Sequence, residues 1–253
     1  MHRFFVDKPA LGCWGQDQIL SLSREESAHA GRVLRLKPGD RVELLDGENL
    51  YSAELVQVAD AGVKARVISI LPSPESKAHI TLWQGLPKAD KLETIMQKAT
   101  ELGVWSLWPV EMERSVGKMD RNERAKQTHK RERLCRIALE AAKQSGRAHV
   151  PQVENPCSFD DALARIVEGK AFDLIVVAWE EAQETKLSQA IRESASIGRI
   201  LLVIGPEGGI TKAEYEKLNA LGARSVTLGR RILRTETAGP CALAVILATL
   251  DEM

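Results

Sequence analysis

Long apolar runs are missing from this 253-residue chain. No stretch of about 18 apolar residues is present, so no membrane-crossing helix is expected. The first apolar run, Phe4-Phe5-Val6, stops at Asp7-Lys8-Pro9 and is too short for a secretory leader. Cysteine is sparse. Cys13, Cys135, Cys157 and Cys241 are scattered without a CxxC pair, as expected of reduced thiols in a cytoplasmic protein. The histidines, at positions 2, 29, 79, 129 and 149, lack metal-ligand spacing, and no metal is expected. Charge of one sign is also missing: the net charge is zero, so the total neither favours nor disfavours a nucleic-acid partner. Neither G-x-G-x-x-G nor G-x-x-x-x-G-K-[ST] occurs, which argues against a nucleotide enzyme with a common phosphate cradle. No internal repeat or low-complexity segment is visible. What remains, 44% hydrophobic and 28% charged, suits a soluble globular protein of one large or two smaller domains.

Residues 1 to about 72 read as β-rich. Arg41 to Leu45 and Tyr51 to Val58 flank an Asp46-Gly47 hairpin turn, and Ala61-Gly62 turns the chain into Val63 to Ile70. One helix, Arg24 to Leu34, is expected to start at Ser23 with Glu26 completing a capping box. Short strands at close spacing suggest a small barrel. Leu71-Pro72-Ser73-Pro74-Glu75-Ser76 reads as a linker. From His79 the pattern changes to strands alternating with helices. Strands are expected at Ile80 to Trp83, Val104 to Val110, Asp173 to Trp179 and Arg199 to Gly205. Helices are expected at Ala89 to Leu102, Asn122 to Ser145, Phe159 to Val167, Lys186 to Ser194 and from Lys212. Strands apolar on both faces predict a mostly parallel sheet covered on both sides, an α/β fold.

Two loops concentrate unusual residues. Gly205-Pro206-Glu207-Gly208-Gly209 follows an apolar strand and precedes a Thr211–Glu214 capping box. It reads either as a close-approach ligand loop or as a tight strand-to-helix turn. Its acid disfavours a pyrophosphate and suits a cationic or hydroxyl-bearing ligand. The second stretch, Leu228 to Pro240, reads LGRRILRTETAGP and feeds the apolar segment Ala242 to Leu250. Charged groups beside a core mark a site. Capping by Thr235 or Thr237, with Pro240 in the first turn, is the plainer explanation. Charge distribution adds a third feature. Residues 111 to 147 hold eleven Lys or Arg against six Asp or Glu. That pattern fits a phosphate-tracking surface or a solvated helix laced with ion pairs.

GPEGG followed by LGRRILRTETA resembles the paired signature of the RsmE-type 16S rRNA uridine-N3 methyltransferases, members of the SPOUT superfamily. His29 to Gly47, Lys91 to Val104, Glu113 to Ser115 and Glu140 to Arg147 match further blocks in the same order. The resemblance implies a PUA-like RNA-binding β-barrel over residues 1–72. It implies a SPOUT-type methyltransferase domain with a C-terminal trefoil knot over 77–253. The cofactor would be S-adenosyl-L-methionine, and the substrate N3 of a uridine in the decoding region of 16S rRNA, within the small ribosomal subunit. A homodimer is also implied, and the apolar Cys241 to Leu250 run suits its interface or a core. A non-catalytic RNA-binding ribosome assembly factor retaining the fold is the alternative.

On this resemblance Trp179, Ile204, Gly205, Glu207, Gly208, Gly209, Leu228, Leu233 and Thr235 are expected around the cofactor, Trp179 being equally a core residue. Arg234 is assigned to stabilising the uracil anion and Glu236 to accepting the N3 proton. Each has a purely structural alternative, an anion clamp and a loop N–H acceptor respectively. Arg3, Arg32, Arg35, Lys37, Arg114 and Arg147, with part of the 121–136 run, are expected to meet RNA. Arg147 could equally offset a helix dipole.

Overall fold

The computed structural model describes all residues except 11, 60, 89, 120–123, 170–171, 183–184 and 195–197, and the side chains of 124–127. The expected helix starts at Ala89 and Asn122, and the side chains of Arg121, Arg124 and Lys126, lie outside the described residues. The chain divides into two compact units. One comprises Met1–Glu75 with Ala142–Val150, the other Ser76–Ala141 with Pro151–Met253.

In the first unit β1 (His2–Phe5), β2 (Ile19–Ser21), β3 (Arg41–Leu45), β4 (Leu50–Ala59) and β5 (Gly62–Leu71) form a sheet in the order β1-β3-β4-β5-β2. Only the β1–β3 pair is parallel. Period-two patterning is clear in β5: Val63, Ala65 and Val67 face the core, while Lys64 and Arg66 face out. Phe4, Val42, Leu44, Tyr51 and Leu55 complete that core.

Two expectations are corrected here. Leu45 pairs with Leu50, so the hairpin loop has four residues rather than an Asp46-Gly47 pair. Asp46 organises it, its Oδ1 accepting the N–H groups of Glu48 and Asn49 at 3.0 and 2.8 Å, as Asp does in turns. The helix after Ser23 is also shorter: α1 spans Arg24–Ala28 and widens into a single π-turn, His29–Val33. Ser23 Oγ accepts the Glu26 N–H at 3.2 Å, but the Glu26 carboxylate is buried against Lys143 Nζ at 2.9 Å. A buried ion pair has displaced the second half of the capping box.

The second unit holds β6 (His79–Gly85), α2 (Lys91–Glu101), β7 (Ser106–Glu111), α3 (Arg124–Ser145), β8 (Gln152–Val153), β9 (Cys157–Ser158) and α4 (Phe159–Gly169). It continues with β10 (Leu174–Ala178), α5 (Leu187–Arg192), β11 (Arg199–Ile204), α6 (Lys212–Asn219), β12 (Arg224–Val226) and α7 (Thr235–Thr249). The last residues of α3 belong to the first unit. The sheet order is β12-β10-β11-β6-β7-β8, with β9 also on β7, and every one of these pairings is parallel. The central strands β6, β10 and β11 are buried almost throughout, as the apolar runs of β10 and 200–204 require. α7 packs on β6 and β11 and against α2 and α5.

The start of α7 departs from expectation. The helix begins at Thr235, seven residues before Ala242. Neither threonine caps it: Arg234 is the N-cap residue and makes no side-chain cap bond. Pro240 lies inside the helix rather than in its first turn, forgoing the bond to the Glu236 carbonyl. Thr235 is instead used for tertiary bonding, which explains why it is not a cap.

Candidate active site

Loops leaving the carboxyl ends of β10, β11 and β12 converge with the first turns of α2 and α7 around a cavity of about 440 Å³. Ligands of parallel α/β sheets bind at this edge, and the volume lies within the usual range for small-molecule sites. The glycine loop forms one wall. Gly209 N–H donates to Pro206 O at 3.0 Å, and Gly209 has φ +75°, a conformation that glycine supplies without strain. The expected capping box closes the turn: Thr211 Oγ1 accepts the Glu214 N–H at 3.3 Å, and Glu214 accepts the Thr211 N–H at 2.9 Å. Glu214 also accepts the Glu113 N–H at 2.8 Å, fixing the loop after β7 to this helix start.

Thr235 joins the two signature stretches. Its buried hydroxyl donates to Gly205 O at 2.6 Å and accepts from Gln84 Nε2 at 2.8 Å. Gln84 is fully buried and its amide also donates to Gly85 O at 3.0 Å. The paired motifs are therefore two sides of one clasp, closed from below by the end of β6.

Lys91, the first residue of α2, reaches into the pocket. Its Nζ lies 3.0 Å from Glu207 Oε1 and 3.2 Å from Glu236 Oε2. Glu207 also accepts the Lys88 N–H at 3.0 Å. Burial alone would raise the Glu207 carboxyl, but the Lys88 N–H and the Lys91 ammonium outweigh it and hold it below its ordinary value. Glu236 is held low by its own backbone N–H and then by Lys91. Lys91 is correspondingly raised, chiefly by Glu207 and then by Glu236.

Of the residues expected around a cofactor, Trp179, Ile204, Gly205, Glu207, Gly209, Leu228, Leu233 and Thr235 line the cavity. Gly208 does not. Its carbonyl accepts from Arg114 Nη1 at 3.2 Å, and a Cβ there would stand 2.8 Å from the Arg114 Cβ. Trp179 lines the cavity while stacking on Tyr215 at 4.2 Å and donating to Ile210 O at 3.2 Å, so it is both wall and packing. Arg234 lines the cavity, exposed. Glu236 stands behind Lys91, outside the lining.

The residues expected to meet RNA are placed unequally. Arg32, Arg35 and Lys37 are exposed on the first unit, Arg35 with φ +55°. Arg3 is ion-paired with Glu43 on the neighbouring strand. Arg147 is buried, its guanidinium bonded to Glu75 (Nη2 to Oε2, 2.6 Å), whose Oε1 also accepts the Ala148 and His149 N–H groups at 2.7 and 3.0 Å. This buried pair gives a structural reason for an arginine at that helix end. In the basic run Arg131 donates to Val153 O and Arg133 pairs with Glu93, while Lys130 and Arg136 are exposed.

Sequence reasoning missed Gln84, Gly85 and Lys91. The two loops it singled out leave out that of β6. A lysine opening a helix, at the positive end of its dipole, was the available signal.

Fold and site define the class: an α/β unit with a loop-built pocket at its strand ends, carried on one chain with a small β unit. The profile of an RNA methyltransferase domain matches residues 74–247, and that of an RNA methyltransferase PUA domain matches residues 22–68. Ribosomal RNA small subunit methyltransferase E of Bacillus subtilis is 40% identical over 252 residues, covering 97% of this chain and 96% of that protein. The crystal structure of the protein of that name from Neisseria gonorrhoeae, bound to S-adenosyl methionine, superposes with a TM-score of 0.80. It is 30% identical and covers 98% of this chain and 97% of that one. A Legionella pneumophila protein solved with the bound cofactor SAM gives 0.76 at 31% identity, covering 97% and 96%. The chain belongs to this RNA methyltransferase family, among the ribosomal RNA small subunit methyltransferase E proteins.

Proposed function

We propose that the protein transfers a methyl group from S-adenosyl-L-methionine to N3 of a specific uridine in 16S rRNA, in the decoding region of the small ribosomal subunit. The clasp of Thr235 on Gly205 carries this reading, because it makes one pocket from the two stretches that the family signature pairs. The pocket fits the cofactor. Ile204, Leu228 and Leu233 give an apolar wall for an adenine, and Glu180 and Glu207 give acids for its cationic end. When bound, the cofactor supplies an electrophilic methyl group on a sulfonium.

The chain's own task is the acceptor. Uracil N3 is a poor nucleophile until it loses its proton, and the base is reached only unpaired or flipped out. Arg234, on the cavity wall, stabilises the anion that develops. Glu236, kept ionised by its surroundings, accepts the N3 proton; the pair left on N3 would then bond the methyl carbon as the C–S pair returns to sulfur. Aligning the two reactants supplies much of the remaining rate.

The finer architecture belongs to the same proposal. Residues 1–72 act as a PUA-like barrel presenting Arg32, Arg35 and Lys37 to RNA. Residues 77–253 are the methyltransferase domain, with the SPOUT trefoil knot in its C-terminal part. From its second turn to 248 α7 is apolar on every side, and its Pro240, Cys241, Ala244 and Val245 are only half-buried. A helix apolar all round requires cover, which a second copy of this chain provides in a cytoplasmic homodimer. Sedimentation of the purified protein tests that.

The activity is tested by incubating the protein with small subunits lacking the modification and a labelled methyl donor, then locating the label. Label at uridine N3 is the expected result; label on another RNA or atom refutes the substrate. Failure to bind S-adenosylhomocysteine in a calorimeter would leave a non-catalytic RNA-binding factor instead.

A further inference from the structure

Lys91 sits where helix physics disfavours it, at the positive end of α2. Its ammonium nevertheless turns inward, to within 3.2 Å of carboxylates from two different loops. Glu207 belongs to the glycine loop and Glu236 to the first turn of α7. Arg234, at the N-cap of α7, also acts on Glu236, and the Lys88 N–H holds Glu207. Arg114 reaches the same loop but bonds the Gly208 carbonyl. Among the described residues, Lys91 is the one group in contact with both acids.

We propose that Lys91 is a positioning residue for methyl transfer: it holds Glu236, just behind the cavity wall, as an ionised carboxylate and ties it to the glycine loop through Glu207. This rests on the reading of Glu236 as proton acceptor. Two carboxylates held around one nitrogen repel each other once it is gone, and repulsion between like charges raises the pKa of such a pair. A protonated Glu236 accepts nothing from N3. Loss of the ion pair also frees its side chain to turn away from the cavity wall. Lys91 itself is a poor cation for stabilising the uracil anion, because two acids already neutralise it.

The test uses the full chain, with small subunits lacking the modification as substrate. Lys91→Met is compared with Lys91→Arg, which keeps the charge, and kcat is followed across pH. Lys91→Met is expected to lower kcat about tenfold or more while changing S-adenosylhomocysteine affinity less than about threefold. The acid limb of its pH profile moves to higher pH, since Glu236 must now be ionised without its cation. Lys91→Arg restores most of the rate and the original limb. Wild-type kcat with an unmoved limb in Lys91→Met overturns the proposal. So does a variant whose only defect is lost S-adenosylhomocysteine binding, since the lysine would then serve the cofactor. Full activity of Glu236→Gln overturns it through the acceptor. A wild-type protein that methylates a different RNA overturns the substrate reading alone, because the Lys91→Met profile is then read on that RNA.

Discussion

Gly85→Ala is the most severe single-methyl test of the site. Gly85 ends β6 and passes directly beneath the glycine loop. A Cβ there would stand 2.5 Å from Pro206 N, 2.6 Å from Pro206 Cδ and 2.9 Å from Gly205 C. These neighbours are backbone and a proline ring, which cannot swing aside as a long side chain can. Reaching an ordinary carbon separation of about 3.5 Å requires a shift of about 1 Å. The Thr235 clasp on Gly205 opposes that shift. Overpacking of this kind destabilises by about 1–3 kcal/mol. For a chain of this size that lowers Tm by roughly 2–12 °C. Function is hit harder, because displacing a positioning element by about 1 Å can reduce rate on the order of a hundredfold. Calorimetric titration with S-adenosylhomocysteine and a thermal melt read the two effects. Affinity is expected to fall at least about tenfold, given how the loop forms the wall. Gly15→Ala is the control, since its added methyl meets only the Gln18 side chain at 3.7 Å. Wild-type affinity and Tm in Gly85→Ala would refute the claim that the loop depends on its seat against β6.

Arg234→Ala is expected to abolish methyl transfer while leaving the melt unchanged, since Arg234 is exposed and makes no cap bond; near-normal turnover removes it from the mechanism. Thr235→Val keeps the shape but strands Gly205 O and the Gln84 amide, at about 1–3 kcal/mol, so both Tm and S-adenosylhomocysteine affinity should drop, and a silent variant would show the clasp to be dispensable. Tyr51 is pushed up to about 12 by burial and then by its bond to Asp46. Its folded value exceeds the ordinary 10, so the stability it contributes is complete below pH 10 and disappears as pH rises through about 12. Phenolate absorbance should therefore show one of the two tyrosines ionising about two units late, and Tyr51→Phe should remove that step.

The second unit was the more legible in sequence. Unbroken apolar runs such as Leu174–Ala178 and 200–204 can be satisfied only by a sheet buried on both faces, and the Thr211 capping box fixes where the following helix starts. Elements set by tertiary contact were harder. Glu26 satisfies every local rule for a capping box, yet Lys143, more than a hundred residues on, takes its carboxylate. Thr235 and Thr237 look like caps because spacing reveals the hydroxyl but not the distant carbonyl it meets. Arg147 looked like a surface cation for the same reason, its partner Glu75 lying in what reads as a linker. At the site, glycines and arginines announce themselves by type. Lys91 and Gln84 are ordinary residues of a helix and a strand, and only the fold brings them to the pocket.

The bond between Gln84 and Thr235 spans 151 positions of sequence. Contacts that distant close late, because chain entropy must be overcome before they return anything. The pocket therefore depends on parts of its unit that are remote in sequence, and it is lost if they separate. A half-folded copy can own a complete β10–β11 ladder and still have nowhere to hold a methyl donor. Competence to bind one therefore reports that these remote parts of the second unit have met across the Thr235 hydroxyl.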